Sequence, residues 1–154
     1  MVSTPLHIII DTREQTPWAF PLELATCVVR KLDAGDYALV GDPEFSIERK
    51  SLDDFAGTIS TGWKRFKREL DRMWAYPVKV VIVEGCLRQC CFYEQDSDLC
   101  APVHNHFMLQ PQFVLKRVAE LAMQDVQVHW ADSSDIAAGL AYAILKERAN
   151  AIND

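Results

Sequence analysis

Glu48 and Lys50 stand in the segment Phe45-Ser46-Ile47-Glu48-Arg49-Lys50. Side chains on a strand alternate between faces. Ser46, Glu48 and Lys50 therefore share one side and Phe45, Ile47 and Arg49 the other, so a carboxylate and an ammonium project together. Asp36 follows Gly35 and opens the neighbouring strand, in position to meet Glu48 around one metal ion. Asp11 lies just past the end of the apolar run Leu6–Ile10, where α/β sheets place functional groups. Two or three carboxylates can hold Mg²⁺, which prefers oxygen ligands and keeps several waters. Such an ion activates water and stabilises a leaving oxygen. A nearby lysine stabilises the developing charge. This set of parts suits metal-assisted hydrolysis of a phosphodiester.

The elements around these residues are readable from pattern. Leu6–Ile10 predicts a buried strand, followed by a loop punctuated by Pro17 and Pro21. Cys27–Leu32, Asp36–Val40 and Phe45–Lys50 predict three more strands, separated by the turn signals Ala34-Gly35 and Gly41-Asp42-Pro43. A helix is expected from Ser51. A second is expected over Trp63–Tyr76, with Phe66, Leu70, Met73 and Trp74 on one face and Pro77 as its stop. Val78–Val83 predicts a central strand. Pro111 opens a helix with Val114, Val118, Leu121 and Ala122 at helical spacing. Val126–Trp130 predicts a last strand. Asp132 or Ser133 caps a final helix with Ile136, Leu140, Ile144 and Leu145 inward and Lys146 and Arg148 in its last turns. Strands first, then helices and strands in alternation, imply an α/β domain: a mixed sheet with helices on both faces. Residues 1–154 are expected to form one domain.

The chain carries a formal net charge of −6, which weighs mildly against nucleic-acid binding. Distribution matters more than the sum. Acids crowd the first third, and Lys64, Arg65, Lys67, Arg68 and Arg72 form a basic stretch directly after them. Five cysteines without an export signal read as reduced thiols of a cytoplasmic protein. The apolar run Val80–Val83 is too short to span a bilayer.

The motifs Asp11-Thr12-Arg13-Glu14, Leu32-Asp33-Ala34-Gly35-Asp36-Tyr37 and Glu48-Arg49-Lys50-Ser51-Leu52-Asp53-Asp54 occur in that order. Together they resemble the nuclease domain of the XPF–Hef family, whose signature is Asp-x-Arg-Glu, Gly-Asp and Glu-Arg-Lys-x-x-x-Asp. The likeness continues through Arg65–Met73 and Val81–Gly85, so it is strongest over residues 6–85. It implies a restriction-endonuclease-like fold: a mixed central sheet flanked by helices. It also implies Mg²⁺- or Mn²⁺-dependent cleavage of DNA near branches, flaps or junctions. By position, Asp11, Asp36 and Glu48 would ligate metal and Lys50 would assist the water or the phosphate. Arg13, Glu14, Arg49 and Asp54 fall on motif positions of the same site. Relatives commonly add a helix-hairpin-helix module, and none is expected within this chain. DNA grip would then come from the domain itself, a homodimer mate or a separate DNA-binding partner. Compact relatives resemble phage or prophage proteins, which suggests a bacterial or phage-infected cell and association with its nucleoid. The family also includes non-catalytic partner subunits that have lost their acids. Asp11, Asp36, Glu48 and Lys50 are all present here, which favours the enzyme.

Several of these residues also have plainer readings. Ser51-Leu52-Asp53-Asp54 is a capping-box pattern with Ser51 as N-cap. Lys64, Arg65, Lys67 and Arg68 can contact phosphates or simply solvate a helix face. Trp18 and Phe20 can stack on unpaired bases, although core packing suits their apolar area better. Cys86, Cys90, Cys91, Cys100, His104 and His106 could supply four zinc ligands, but the spacing is not that of paired C-x-x-C knuckles. Buried free thiols in a surface loop explain them more simply.

Overall fold

The computed structural model describes residues 4–73, 75–92 and 109–153. Six strands form one sheet: β1 (Leu6–Ile10), β2 (Ala25–Val29), β3 (Tyr37–Leu39), β4 (Ile47–Ser51), β5 (Lys79–Glu84) and β6 (Val126–Ala131). Their spatial order is β2-β1-β3-β4-β5-β6. β3 runs antiparallel to both its neighbours, and the remaining pairings are parallel. Among the described residues five helices accompany the sheet: α1 (Leu52–Ile59), α2 (Trp63–Arg72), α3 (Leu87–Phe92), α4 (Pro111–Ala122) and α5 (Ser134–Asn153). This is the mixed α/β sheet the pattern implied.

Strand alternation makes two cores. Ile8, Ile10, Tyr37, Ile47, Val80 and Ile82 face α5, which contributes Ala137, Ala141 and Leu145. Val81 and Val83 face the other way, onto Phe55 and Ile59 of α1, Phe66 and Leu70 of α2, and Val114 and Leu121 of α4. The apolar run Val80–Val83 within β5 suits a strand covered on both faces. α1 begins where expected, with the Asp54 N–H donating to Ser51 Oγ at 3.1 Å.

The structure moves several boundaries. β2 starts at Ala25 rather than Cys27 and ends at Val29, because the chain leaves the sheet to bring the Leu32 N–H to Asp11. β3 is confined to Tyr37–Leu39, because the Asp36 side chain takes over a ladder position. α2 ends at Arg72, where the Met73 N–H returns to the Leu70 carbonyl. Pro77 stands four residues past Met73, whose carbonyl it could not bond in a continued helix. Met73 is buried as expected; Trp74 lies outside the described residues. In α5, Ile136 is 60% exposed rather than inward. The small residues Ala137, Ala138 and Ala141 take the sheet-facing positions, letting the helix approach closely. Arg148 clamps the turn after β3, donating to Asp42 at 2.7 and 3.1 Å.

No helix among the described residues is long and apolar enough to cross a membrane. Cys90 and Cys91 are buried free thiols, and burial pushes Cys90 up to about 12. Cys100, His104 and His106 lie outside the described residues, and the rest form no metal cluster among the described residues.

Candidate active site

The register brings the motif acids to one row. β1 pairs Ile10 with Tyr37, and β3 pairs Tyr37 with Ile47. One step further along, Asp11, Asp36 and Glu48 occupy adjacent strands on the face opposite the α5 core. The Asp11 N–H donates to the Asp36 carbonyl, and the Asp36 N–H to the Ile47 carbonyl, both at 2.8 Å. Lys50 follows on the same face, its Nζ 2.9 Å from Glu48 Oε1 and 5.3 Å from the centroid of Phe66. α2 thus walls the site with a buried phenyl, which holds the ammonium beside the carboxylates.

The three acids are not equivalent. Asp11 is fully buried. Its Oδ1 accepts from the Arg13 N–H at 2.9 Å and Arg13 Nε at 2.5 Å, and its Oδ2 accepts from the Leu32 N–H at 2.6 Å. Burial alone would raise its pKa. The Arg13 side chain and the backbone donors of Leu32 and Arg13 outweigh it and hold the carboxyl below its ordinary range. Asp11 ties the Arg13 turn and the Leu32 segment to the end of β1. No group of three or more acidic, histidine or cysteine side chains close enough to hold a metal occurs among the described residues. Of the three expected ligands, Asp36 and Glu48 are the two that each keep an oxygen without a donor among the described residues.

That pair has the character of a cation site. Asp36 Oδ2 accepts the Arg49 N–H at 2.8 Å, and Glu48 Oε1 takes Lys50. Among the described residues no donor reaches Asp36 Oδ1 or Glu48 Oε2. Burial, and then the neighbouring Glu48 charge, push Asp36 up to about 7. Two crowded carboxylates with one open oxygen each offer the hard donors that Mg²⁺ or Mn²⁺ takes, and leave room for its waters. The residues present therefore fit a divalent cation. Arg13, whose side chain is largely exposed, senses all three acids electrostatically.

The pair opens onto a cavity of about 200 Å³, whose charged walls include Arg13, Lys50, Arg65, Arg72 and Lys79 set against Asp33, Glu69 and the pair itself. Of the four basic residues expected at DNA, only Arg65 lines it. Lys67 turns to a separate groove with Trp63 and Glu120, and Lys64 and Arg68 are simply exposed. Arg72, read only as part of the basic stretch, belongs to the cavity. Asp54 sits away from it, its backbone capping α1 and its side chain on an outer groove beside Lys50 and Arg65.

The other face of β4 is a saturated clamp. Arg49 donates through Nε to Glu84 at 2.6 Å and through Nη1 to Glu14 at 3.0 Å, and its guanidinium lies 5.1 Å from the Trp18 ring centroid. The indole Nε1 donates to Glu84 at 2.6 Å, and the Tyr37 hydroxyl donates to Glu14 at 2.8 Å. Trp18 is buried and stacked on Tyr37 at 4.5 Å, so it serves packing and does not stack on a base. Glu14 and Arg49 fix the strand that carries Glu48 and Lys50. Glu84 was not among the expected site residues, and Trp18 was read only for base stacking or core packing. The signal for Glu84 was available, since it is an acid closing an otherwise apolar central strand, as Asp11 closes its own.

A six-stranded mixed sheet with a carboxylate pair and a lysine at its centre defines a restriction-endonuclease-like domain. The chain belongs to the ERCC4 domain family, whose profile matches residues 10–144. Among solved structures it is similar to XPF from Aeropyrum pernix, at 18% identity and a TM-score of 0.67 over 93% of this chain and 65% of that one. It is likewise similar to XPF from Aeropyrum pernix in complex with DNA, at 21% identity and a TM-score of 0.70 over 94% and 66%. The chain thus spans about two thirds of those proteins. No curated protein matches it in sequence.

Proposed function

We propose that this domain is a divalent-metal-dependent DNA endonuclease that hydrolyses phosphodiester bonds in branched, flap or junction DNA. The observation that carries the reading is the open Asp36–Glu48 pair with Lys50 at 2.9 Å, inside a cavity walled by Arg65 and Arg72. Membership of the ERCC4 domain family and the DNA-bound Aeropyrum pernix relative support it.

Asp36 and Glu48 would hold Mg²⁺ or Mn²⁺, which when bound polarises a water and neutralises phosphate charge. The chain's own groups do the rest. Lys50, steered by Glu48 and shielded by Phe66, presents its ammonium where charge develops on the phosphate or the attacking water. Arg65 and Arg72 receive flanking phosphates, which fixes the scissile bond in place. Asp36 must be ionised to serve, so its elevated pKa makes the ligand set depend on the cation. Arg49 locks β4 from behind, so that Glu48 and Lys50 keep their spacing. With a net charge of −6, generic duplex affinity is weak, and a homodimer mate or a separate DNA-binding partner would add grip.

Labelled flap, fork, nicked and plain duplex DNA, offered at low salt with Mg²⁺ or Mn²⁺, tests this. Wild type is expected to cut the branched substrates, and Glu48→Ala and Asp36→Ala to lose roughly 10³-fold or more. No cutting of any substrate would leave the non-catalytic partner as the better reading. Cutting that survives in both variants would trace to a contaminant.

A further inference from the structure

A second cavity, of about 250 Å³, adjoins the catalytic one and shares its wall at Asp33 and Ala34. Its apolar part is made by Ile9, Ala38 and Phe45, with Tyr76 as an aromatic wall and Arg30 and Lys31 alongside. Ser46 lines it too. The Ser46 Oγ is buried and faces the Tyr76 phenol, its near neighbour in the cavity wall. It also forms part of the partition from the catalytic cavity, since a Cβ at Gly35 would fall 2.3 Å from it.

We propose that this cavity receives one unpaired base of the DNA, with the adjoining phosphate held by Arg30 and Lys31. The inference rests on the nuclease reading and deepens it by naming what selects a branched substrate. The cavity is smaller than the roughly 300–1,000 Å³ of ordinary small-molecule sites, which suits one planar ring with its sugar and phosphate left outside. Aromatic and aliphatic walls favour a base face, and the Ser46–Tyr76 pair puts a polar edge within the cavity. Asp33 and Asp42 also line the cavity, which keeps a phosphate out of its depth. Asp42 is neutralised by Arg148, while Asp33 remains to accept from an exocyclic amino group. A base inside a duplex cannot enter; one released at a flap or junction can.

Binding is read with the full-length Glu48→Gln chain, which uncouples it from cleavage, on fork DNA with single abasic sites walked along the unpaired arm. One position is expected to weaken binding about tenfold when its base is removed. Tyr76→Ala should cost the same with intact DNA and nothing further at that abasic site, whereas Tyr76→Phe should behave as the parent. If Tyr76→Ala does not fold, Arg30→Ala takes its place: it should weaken intact and abasic forks alike and flatten the salt dependence. No sensitive position, or Tyr76 and abasic losses that multiply, would overturn the proposal. Cleavage by the parent with Glu48 intact separates the two readings. Cutting without abasic sensitivity removes the base pocket and keeps the nuclease; abasic sensitivity without cutting does the reverse. A chain that binds no DNA loses both.

Discussion

Asp11 and Asp36 are neighbours in one row across the sheet, the first fully buried and the second half-buried at a cavity wall, and the structure treats them in opposite ways. Asp11 is met by two backbone N–H groups and a guanidinium, and its carboxyl is held below the ordinary range. Asp36 is met by one N–H and faces Glu48, and it is pushed up to about 7. Burial raises both; the count of donors decides the sign. The saturated acid is a fastening, complete without a ligand. The under-supplied one keeps an oxygen that no donor among the described residues reaches, which is what the proposed cation site requires.

The sharpest way to break this contrast is the same conservative change at both sites. Asp36→Asn should keep the acceptor for Arg49 and remove the clash with Glu48. Cleavage is then expected to fall roughly 10³-fold, with metal-free stability unchanged or slightly higher. Asp11→Asn should do the converse. An amide offers one oxygen, so its NH₂ must face either the Leu32 N–H or the Arg13 donors. A loss of about 2–3 kcal/mol in urea unfolding is expected, with cleavage retained at temperatures where the variant is folded. Equal stability losses at the two sites would erase the distinction.

Acidity sharpens the contrast without mutation. Asp36 has a folded-state pKa of about 7, raised from an ordinary 3.8. The native state therefore holds a proton the unfolded chain has released, and this contribution to stability is lost as pH rises through 7. Asp11 is shifted the other way, so its contribution is present above its ordinary pKa and lost as pH falls below it. On the proposed reading a divalent cation would replace the Asp36 proton. The rise in melting temperature on adding Mn²⁺ should thus be larger at about pH 8 than at about pH 5.5, and Asp36→Asn should abolish that difference. An equal Mn²⁺ effect at both pH values would show that Asp36 does not titrate with metal binding.

The same two acids show what a sequence can and cannot disclose. Their types, their order and the alternation along β4 were legible, because strand period fixes which side chains share a face. The ordered motifs correctly brought Asp11, Asp36 and Glu48 into one row. What the row does was not legible, because it depends on backbone donors. Leu32 N–H reaches Asp11 only because the chain leaves β2 three residues early, and no periodicity records that departure. Lys64, Arg65, Lys67 and Arg68 were readable as a basic stretch. Their division between the cavity and the groove beside α4 follows from the rotation of α2, which its buried Phe66 and Leu70 set. Trp18 and Glu84 lie 66 residues apart, so their hydrogen bond has no local signature.

That distant bond yields the smallest expected effect, and it probes the back of β4 against its front. Trp18→Phe removes the donor to Glu84 while leaving an aromatic ring on Tyr37. Glu84 keeps Arg49 as a partner, so no buried charge is orphaned, and the loss should be about 1 kcal/mol. The informative readout is catalytic. If the rear clamp positions Glu48 and Lys50, cleavage should fall a few-fold more than the change in folded fraction accounts for, with DNA affinity unchanged. Cleavage that follows the folded fraction alone would show that the rear of β4 serves stability and nothing else. The division between a fixed rear and a poised front would then rest on the acids alone.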